Sequence, residues 1–511
     1  MILLALVFVI SAFASCGDGA NKTTPKASQS TPKKDVTPGG DDVPEEEKLN
    51  VDIDSIDYEG ATVTIFHWGT SAAGNADSEF GIEEDQINND AVNDALYKRN
   101  LYTENGLGIN LEFHKEPYGY NNTPKFIDKL SARVSDPNTP VDLVACQTRM
   151  MPSIMVDGYL TDLVMFNDVI DLDKVWWPDN CQETFEIKNH IYFVSGDISA
   201  NLLRMMQVIF VNKTHLASFG YDYNEFMEDI LAYKWTLDDL IDMTTGRYQN
   251  LDSVAGPSEG DFFGITTTYF HSDALYTGCG YQYMRQSNAD DEVFKLSNDM
   301  VSESAYAYVN KLTEWNNSFD MYMDPPETIY EDVFKNGNAF FLLHRAWFGF
   351  ELQKTDVQYA VIPAPALDES QQRYYTTMGT PHSSYGVCSY SPEYTRAAET
   401  VQVLGYYGYQ LTTPAVFEVS FKGKFAKDDY AIKMFDIIRG SIVFDVGKLY
   451  DTFISGADRD GWQYYPSNIV SWCIRDNIVW TTNFGQARQK IVRDQIDAAS
   501  AKILAFINAD G

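Results

Sequence analysis

Ala61-Thr-Val-Thr-Ile-Phe66, Gly106-Leu-Gly-Ile-Asn-Leu-Glu-Phe113 and Val141-Asp-Leu-Val-Ala-Cys146 are three β-rich apolar runs, and what separates them decides the fold. Residues 83–105 are polar with spaced apolar positions at Ile87, Val92, Leu96 and Leu101, a pattern that predicts a helix. Residues 126–134 put Phe126, Ile127, Leu130 and Val134 on one face of a second, shorter helix. Strand, helix, strand, helix, strand predicts βαβ units and an α/β fold. The third run is apolar on both of its faces, as a strand covered by helices on each side must be. Further strands are predicted at 191–194, 206–211, 264–268, 339–343 and 359–362. A last helix is predicted over 486–508, with Ile491, Ile496, Ile503 and Ile507 inward.

Outward from this body, the N-terminal end carries an address. Met1 to Phe13 is an uncharged apolar run, too short for the ~20 residues that span a bilayer. Ala14 and Ser15 follow and lead into Cys16, the layout of a cleaved export signal over 1–15. Small residues directly before a cysteine resemble the lipobox of bacterial lipoproteins, although no Lys or Arg precedes the apolar run. The resemblance implies a diacylglyceryl thioether on Cys16, hence anchorage at the outer face of the cell membrane; two acyl chains hold where one does not. Residues 16–57 are rich in Thr, Ser, Pro, Gly, Lys and Asp and are expected to be a disordered tether. No later run is long and apolar enough to span a bilayer. The chain beyond Tyr58 exceeds one comfortable core, which predicts two lobes.

The totals exclude some partners. There are 73 acidic against 38 basic residues, a net charge of −35, so nucleic acid and an anionic membrane surface both repel the chain. Beyond Cys16, the cysteines at 146, 181, 279, 388 and 473 are odd in number and widely spaced, so free thiols are expected. No HExxH, GxxxxGK[ST] or CxxC is present, and Asp290-Asp291-Glu292 lacks the ligand spacing of a calcium loop. No metal or cofactor is therefore predicted. Gly69-Thr-Ser-Ala-Ala-Gly74 has one residue too many for a nucleophile elbow.

In open α/β sheets ligands sit beyond the carboxyl ends of the strands. That rule selects His67 and Trp68 after the first strand, and Gln147, Thr148 and Arg149 after the third. It also selects Tyr269, Phe270 and His271, then His344, Arg345 and Trp347. Aromatic faces beside planar polar groups suit a sugar, which offers C–H faces and a ring of hydroxyls. A secreted hydrolase acting on carbohydrate through paired carboxylates is the alternative from another class.

The order of several segments resembles the extracellular solute-binding proteins of sugar-importing ABC transporters, the family that includes maltose-binding protein. The resemblance is carried by Asp157-Gly-Tyr-Leu-Thr-Asp-Leu163, Ile209-Phe-Val-Asn-Lys-Thr-His-Leu216 and Lys234-Trp-Thr-Leu-Asp-Asp-Leu240, with Thr236 as helix N-cap. It continues in Phe334-Lys-Asn-Gly-Asn-Ala-Phe-Phe-Leu-Leu343 with Trp347, and in Val361-Ile-Pro-Ala-Pro365. Where many relatives carry an Asp-rich loop, Asn250-Leu-Asp-Ser-Val-Ala-Gly256 lacks that carboxylate density.

The resemblance implies a two-lobed periplasmic-binding-protein-like fold, each lobe a mainly parallel sheet flanked by helices, with a ligand cleft between them. Lobe 1 is expected at 58–198 and 335–380, lobe 2 at 199–334 and 381–511, with Gly196 at a hinge. The first-strand loop, the third-strand loop and Trp347 are expected on one lobe, with Tyr269 and Phe270 on the other. Function follows as an expectation: a monomeric receptor, not an enzyme, that delivers an oligosaccharide to an ABC permease. A peptide, polyamine or metal chelate on the same fold is the other ligand class.

Overall fold

The computed structural model describes residues 44–69, 79–81, 91–324, 329–422, 429–455, 465–477 and 482–510. The expected export signal, Cys16, most of the expected tether and most of the near-miss motif at 69–74 lie outside the described residues. In chain order the strands are β1 (Ala61–Trp68), β2 (Ile109–Glu116), β3 (Leu143–Gln147), β4 (Gln207–Asn212), β5 (Phe263–Thr268) and β6 (Met284–Gln286). They continue with β7 (Phe294–Leu296), β8 (Met321–Asp324), β9 (Ala339–Arg345), β10 (Tyr359–Ile362) and β11 (Ser383–Val387).

Two α/β sheets carry the architecture. The first runs β11-β3-β1-β2, the second β10-β4-β9-β5-β8, and β6 with β7 forms a small antiparallel ribbon. In the first sheet β1 pairs parallel with β2 and β3, while β11 is antiparallel to β3. In the second, β5 pairs parallel with β8 and β9, while β4 is antiparallel to β9 and β10. β3, β4, β5 and β11 are buried along their whole length; apart from the terminal Gln147, Gln207 and Asn212 their sequences carry no long polar or charged side chain. β2 alternates Asn110 and Glu112 outward with Ile109 inward, as an edge strand facing water on one side does.

The helices follow their sequence signals closely. Ala91–Leu107 and Thr123–Val134 lie where periodicity places them, and Pro124 sits in the first turn of the second, where a missing N–H costs nothing. Thr236 caps Leu237–Thr244 in a full capping box: its hydroxyl accepts from the Asp239 N–H, and the Asp239 carboxylate accepts from the Thr236 N–H. The C-terminal helix Thr482–Asp510 buries Val492, Ile496, Ala499 and Ile503. Ile491, expected inward, is 38% exposed, because Val492 and not Ile491 lines up with Ile496, Ala499 and Ile503. Cys146, Cys181, Cys279, Cys388 and Cys473 are all buried and none is disulfide-bonded among the described residues, and burial pushes the Cys181 and Cys388 thiols up to about 12.

Three expectations change. Residues 191–194 form no strand; Val194 makes an isolated bridge to Tyr385. The folded body also begins before 58. Lys174 Nζ donates to the Glu45 carbonyl (2.8 Å), Asn50 Nδ2 donates to the Val169 carbonyl (2.8 Å), and Val51 is buried, with Leu49, Ile53 and Ile56 packed on the core. Four apolar side chains are enough to dock a segment whose average composition reads as linker. Lastly, β9 and β10 belong with β4 and β5, and β11 belongs with β3, so 335–380 and the start of 381–511 exchange places relative to the expected division.

Two chain passages connect the sheets, 195–206 outward and 376–382 back. They run antiparallel and are tied together. Val194 bridges Tyr385, Met206 bridges Met378, the Gly379 N–H donates to Met205 O (2.8 Å), and Ser195 Oγ donates to Ser383 O (2.6 Å). Gly196 lies in the first passage, where a Cβ would stand 2.4 Å from Trp176 O and 2.6 Å from the Trp177 ring. Its role here is close approach of backbone to packed tryptophans.

Candidate ligand-binding site

The two passages lie at the carboxyl ends of β1, β3, β5 and β9, which therefore meet along one seam. Because β11 is antiparallel to β3 and β4 to β9, their first residues reach the same seam, and Gln207 stands opposite Arg345. On the first-sheet side, Trp68 is 0% exposed and its indole N–H donates to Ser383 Oγ at 2.8 Å. Ser383 in turn donates to Glu79 (3.0 Å), which also accepts from Ser199 Oγ (2.5 Å). His67 is buried too, its ring stacked on Phe80 at 4.2 Å with Nδ1 2.8 Å from Trp68 O. Gln147 is buried against the return passage, donating to Thr380 O (3.3 Å), and Thr148 binds His382 O and Ser384 Oγ. Arg149 forms a 2.6 Å ion pair with fully buried Asp451.

On the second-sheet side, Tyr269 is buried under the Arg475 guanidinium, 4.9 Å from its ring centre. Phe270 is half-buried and begins a chain of edge-to-face rings: Phe270 to His271 (4.6 Å), His271 to His344 (4.5 Å), His344 to Trp347 (5.5 Å). His271 is held well below the usual histidine range by burial first, then by the charges of His344 and Arg345, and is neutral. His344 is lowered by burial as well, against its 3.1 Å contact with Glu331. Arg345 and Trp347 keep partial exposure.

Ion pairs close the seam. Asp273, just after β5, accepts from Gln207 Nε2 (2.8 Å) and pairs with Lys448. Lys448 also donates to Thr377 Oγ1 (3.0 Å) and Met378 O (2.9 Å), tying the second-sheet carboxylate to the return passage. Next to them is a cavity of ≈ 20 Å³ whose walls include Arg149, Thr380, His382 and Lys448. It has room for about one water and none for a sugar ring. Burial pushes His382 down to about 4, so it too is neutral. Two hollows of ≈ 410 Å³ each lie elsewhere, one along Tyr223–Leu231 and Leu237–Thr244, the other beside Tyr374 and Ser441. Neither is built from the strand ends selected by sequence.

The structure thus brings together Arg149, Phe270, Arg345 and Trp347 at the seam and packs His67, Trp68, Gln147 and Tyr269 into the protein. Trp68 and Trp347 were expected on one lobe as paired platforms; they belong to opposite sheets, and Trp68 is core. Trp347 and Phe270, expected on different lobes, follow adjacent strands of one sheet. Sequence reasoning missed Gln207, Asp273, Thr377, Lys448 and Asp451. The signal for the last two was present: Phe444-Asp-Val-Gly-Lys-Leu-Tyr-Asp-Thr-Phe453 embeds charges in an aromatic and aliphatic run, and such charges must be paired if buried. Among the described residues no group of three His, Cys, Asp or Glu could hold a metal ion, and no helix is long and apolar enough to cross a membrane.

No protein-family model and no curated protein matches the chain. Solved structures do. A cyclo/maltodextrin-binding protein complexed with maltotetraose is 12% identical, with a TM-score of 0.52 over 88% of this chain and 99% of its own. A sugar transporter from Rhizobium etli in an open conformation is 12% identical, with a TM-score of 0.53 over 86% of this chain and 100% of its own. The maltose-binding periplasmic protein MalE of Listeria monocytogenes, in complex with maltose, is 12% identical, with a TM-score of 0.53 over 86% of this chain and 98% of its own. Near-complete coverage of those chains at such low identity is a likeness of fold, and this chain has the fold of the maltose- and maltodextrin-binding solute receptors.

Proposed function

We propose that the chain is an exported, lipid-anchored receptor that binds an oligosaccharide between its two sheets and passes it to the permease of an ABC importer. The observation that carries this reading is the seam itself, where strand ends of both sheets meet beside two antiparallel passages. The first sheet with 45–194 and the helix Tyr394–Tyr407 forms one lobe, and the second sheet, 207–362, forms the other. The passages, Gly196 among them, are the hinge about which the lobes part to admit a sugar, a motion known for periplasmic binding proteins. Arg149 and Arg345 orient hydroxyls, while Phe270 and Trp347 offer ring faces. The likeness to receptors solved with maltose and maltotetraose supports a carbohydrate ligand. Asp273 and Asp451 are both committed to ion pairs, which favours holding a ligand over reacting with it. Cys16 is the lipid attachment, and the receptor acts as a monomer.

A thermal-shift screen against mono- and oligosaccharides, amino acids, polyamines and metal ions tests the reading. An oligosaccharide at ~100 times its dissociation constant should add about 2.7 kcal/mol of stability. Stabilisation by an amino acid, polyamine or metal ion, with none by any sugar, contradicts it.

A further inference from the structure

We propose that the oligosaccharide bound at the seam carries an anionic group, a carboxylate by preference, that docks on Arg345. The inference rests on the carbohydrate reading above. In a chain of 73 acidic and 38 basic residues, three cations converge on this one place: Arg149, Arg345 and Lys448. Two are matched, Arg149 by Asp451 and Lys448 by Asp273. Arg345 is not. Both oxygens of Asp273 are taken, Oδ1 by Gln207 and Oδ2 by Lys448. Glu331 receives Tyr330 and His344 on Oε1. Among the described residues no acceptor meets the Arg345 guanidinium, and its Nε is shut off from solvent without a partner.

The group is nonetheless held in place. Its Cζ lies 5.4 Å from the Phe270 ring centre, and it rests on the return passage at Gly379, where a Cβ would stand 2.6 Å from Nε. A planar fork held between an aromatic ring and bare backbone, with no carboxylate of the described residues bonded to it, can offer a ligand carboxylate two donors from its Nη atoms. A neutral hydroxyl would take one of those bonds and leave the guanidinium without a bonded anion in a partly desolvated place, which is costly. The overall charge of −35 does not forbid an acidic ligand. Surface charges are screened beyond ~8 Å at physiological salt, so the contact cation decides binding once the ligand has arrived. A carboxylate comes from a uronic acid; a sulfate ester offers the same anionic oxygens, and the test separates the two.

Calorimetric titration of the full chain provides that test. The probes are oligogalacturonate, its carboxyl-reduced neutral counterpart, malto-oligosaccharides, and a sulfated galactan oligosaccharide without carboxylates. The expected result is at least tenfold tighter binding of oligogalacturonate than of its reduced form, with that advantage lost in Arg345→Gln and only part of it kept in Arg345→Lys. Preference for the sulfated probe, with the same loss in Arg345→Gln, keeps the anion site and replaces carboxylate by sulfate. Equal affinity for charged and reduced probes overturns the inference and leaves the carbohydrate reading standing, whereas no binding by any sugar overturns both. The comparison of charged and reduced probes needs only the wild-type chain, so it decides even where a variant does not fold.

Discussion

Trp68 and Trp347 each follow or end a strand at its carboxyl end, yet their surroundings predict opposite behaviour on truncation. Trp68 is enclosed, with its one polar atom satisfied by Ser383. Trp68→Ala should cost about 3–5 kcal/mol, the sum of lost burial and a cavity. Trp347 is half-buried against His344 and Phe348, so Trp347→Ala should cost less stability and instead weaken sugar binding by roughly 1–3 kcal/mol. Urea unfolding and titration of both variants check this; equal stability losses, with affinity unchanged in each, would remove Trp347 from the site. The strand-end rule found both residues in the sequence because it needs only local pattern. It does not say whether the last side chain of a strand faces the seam or the core. For Trp68 that depends on Ser383, 315 positions away, which no local pattern reveals.

At the scale of elements, the antiparallel passages are clamped by one buried carboxyl. Glu79 accepts from Ser199 on the outgoing passage and from Ser383 at the end of the returning one. Burial raises it from an ordinary 4.5 to about 7, against the two hydroxyls and the charges of Arg99 and Arg204, which pull it down. The folded chain therefore holds this proton more tightly than the unfolded chain does. The stability it contributes is full below about pH 4.5 and is lost as pH rises to about 7, by on the order of 3 kcal/mol. Glu79→Gln keeps the neutral form, so its stability should match wild type near pH 4.5 and exceed it at pH 8. Urea unfolding at both values checks this, and a gap that does not change with pH would contradict it. Element identity was largely legible: the Thr236 cap depends on residues within three positions of it, and the β-rich runs at 264–268, 339–343 and 359–362 lie within strands. Sheet membership was not, because β9, β10 and β11 find partners far away in the chain. The docked segment at 45–57 was hidden for a different reason, since its few apolar residues are diluted by polar ones.

At the scale of the molecule, two ion pairs tie the C-terminal third to the seam. Arg149 with Asp451 and Lys448 with Asp273 bring residues beyond 440 against the ends of β3 and β5. A seam closed by ion pairs around a water-sized cavity would have to loosen to take a sugar ring. The proposed receptor holds its sugar in this seam and not in the hollow along Tyr223–Leu231 and Leu237–Thr244. Amide hydrogen exchange with and without the oligosaccharide that stabilises the protein measures this directly. Binding that immobilises both sheets should slow exchange at 147–149, 269–271, 345–348 and 377–382 together. Slowed exchange confined to 220–243, with those four segments unchanged, would contradict it.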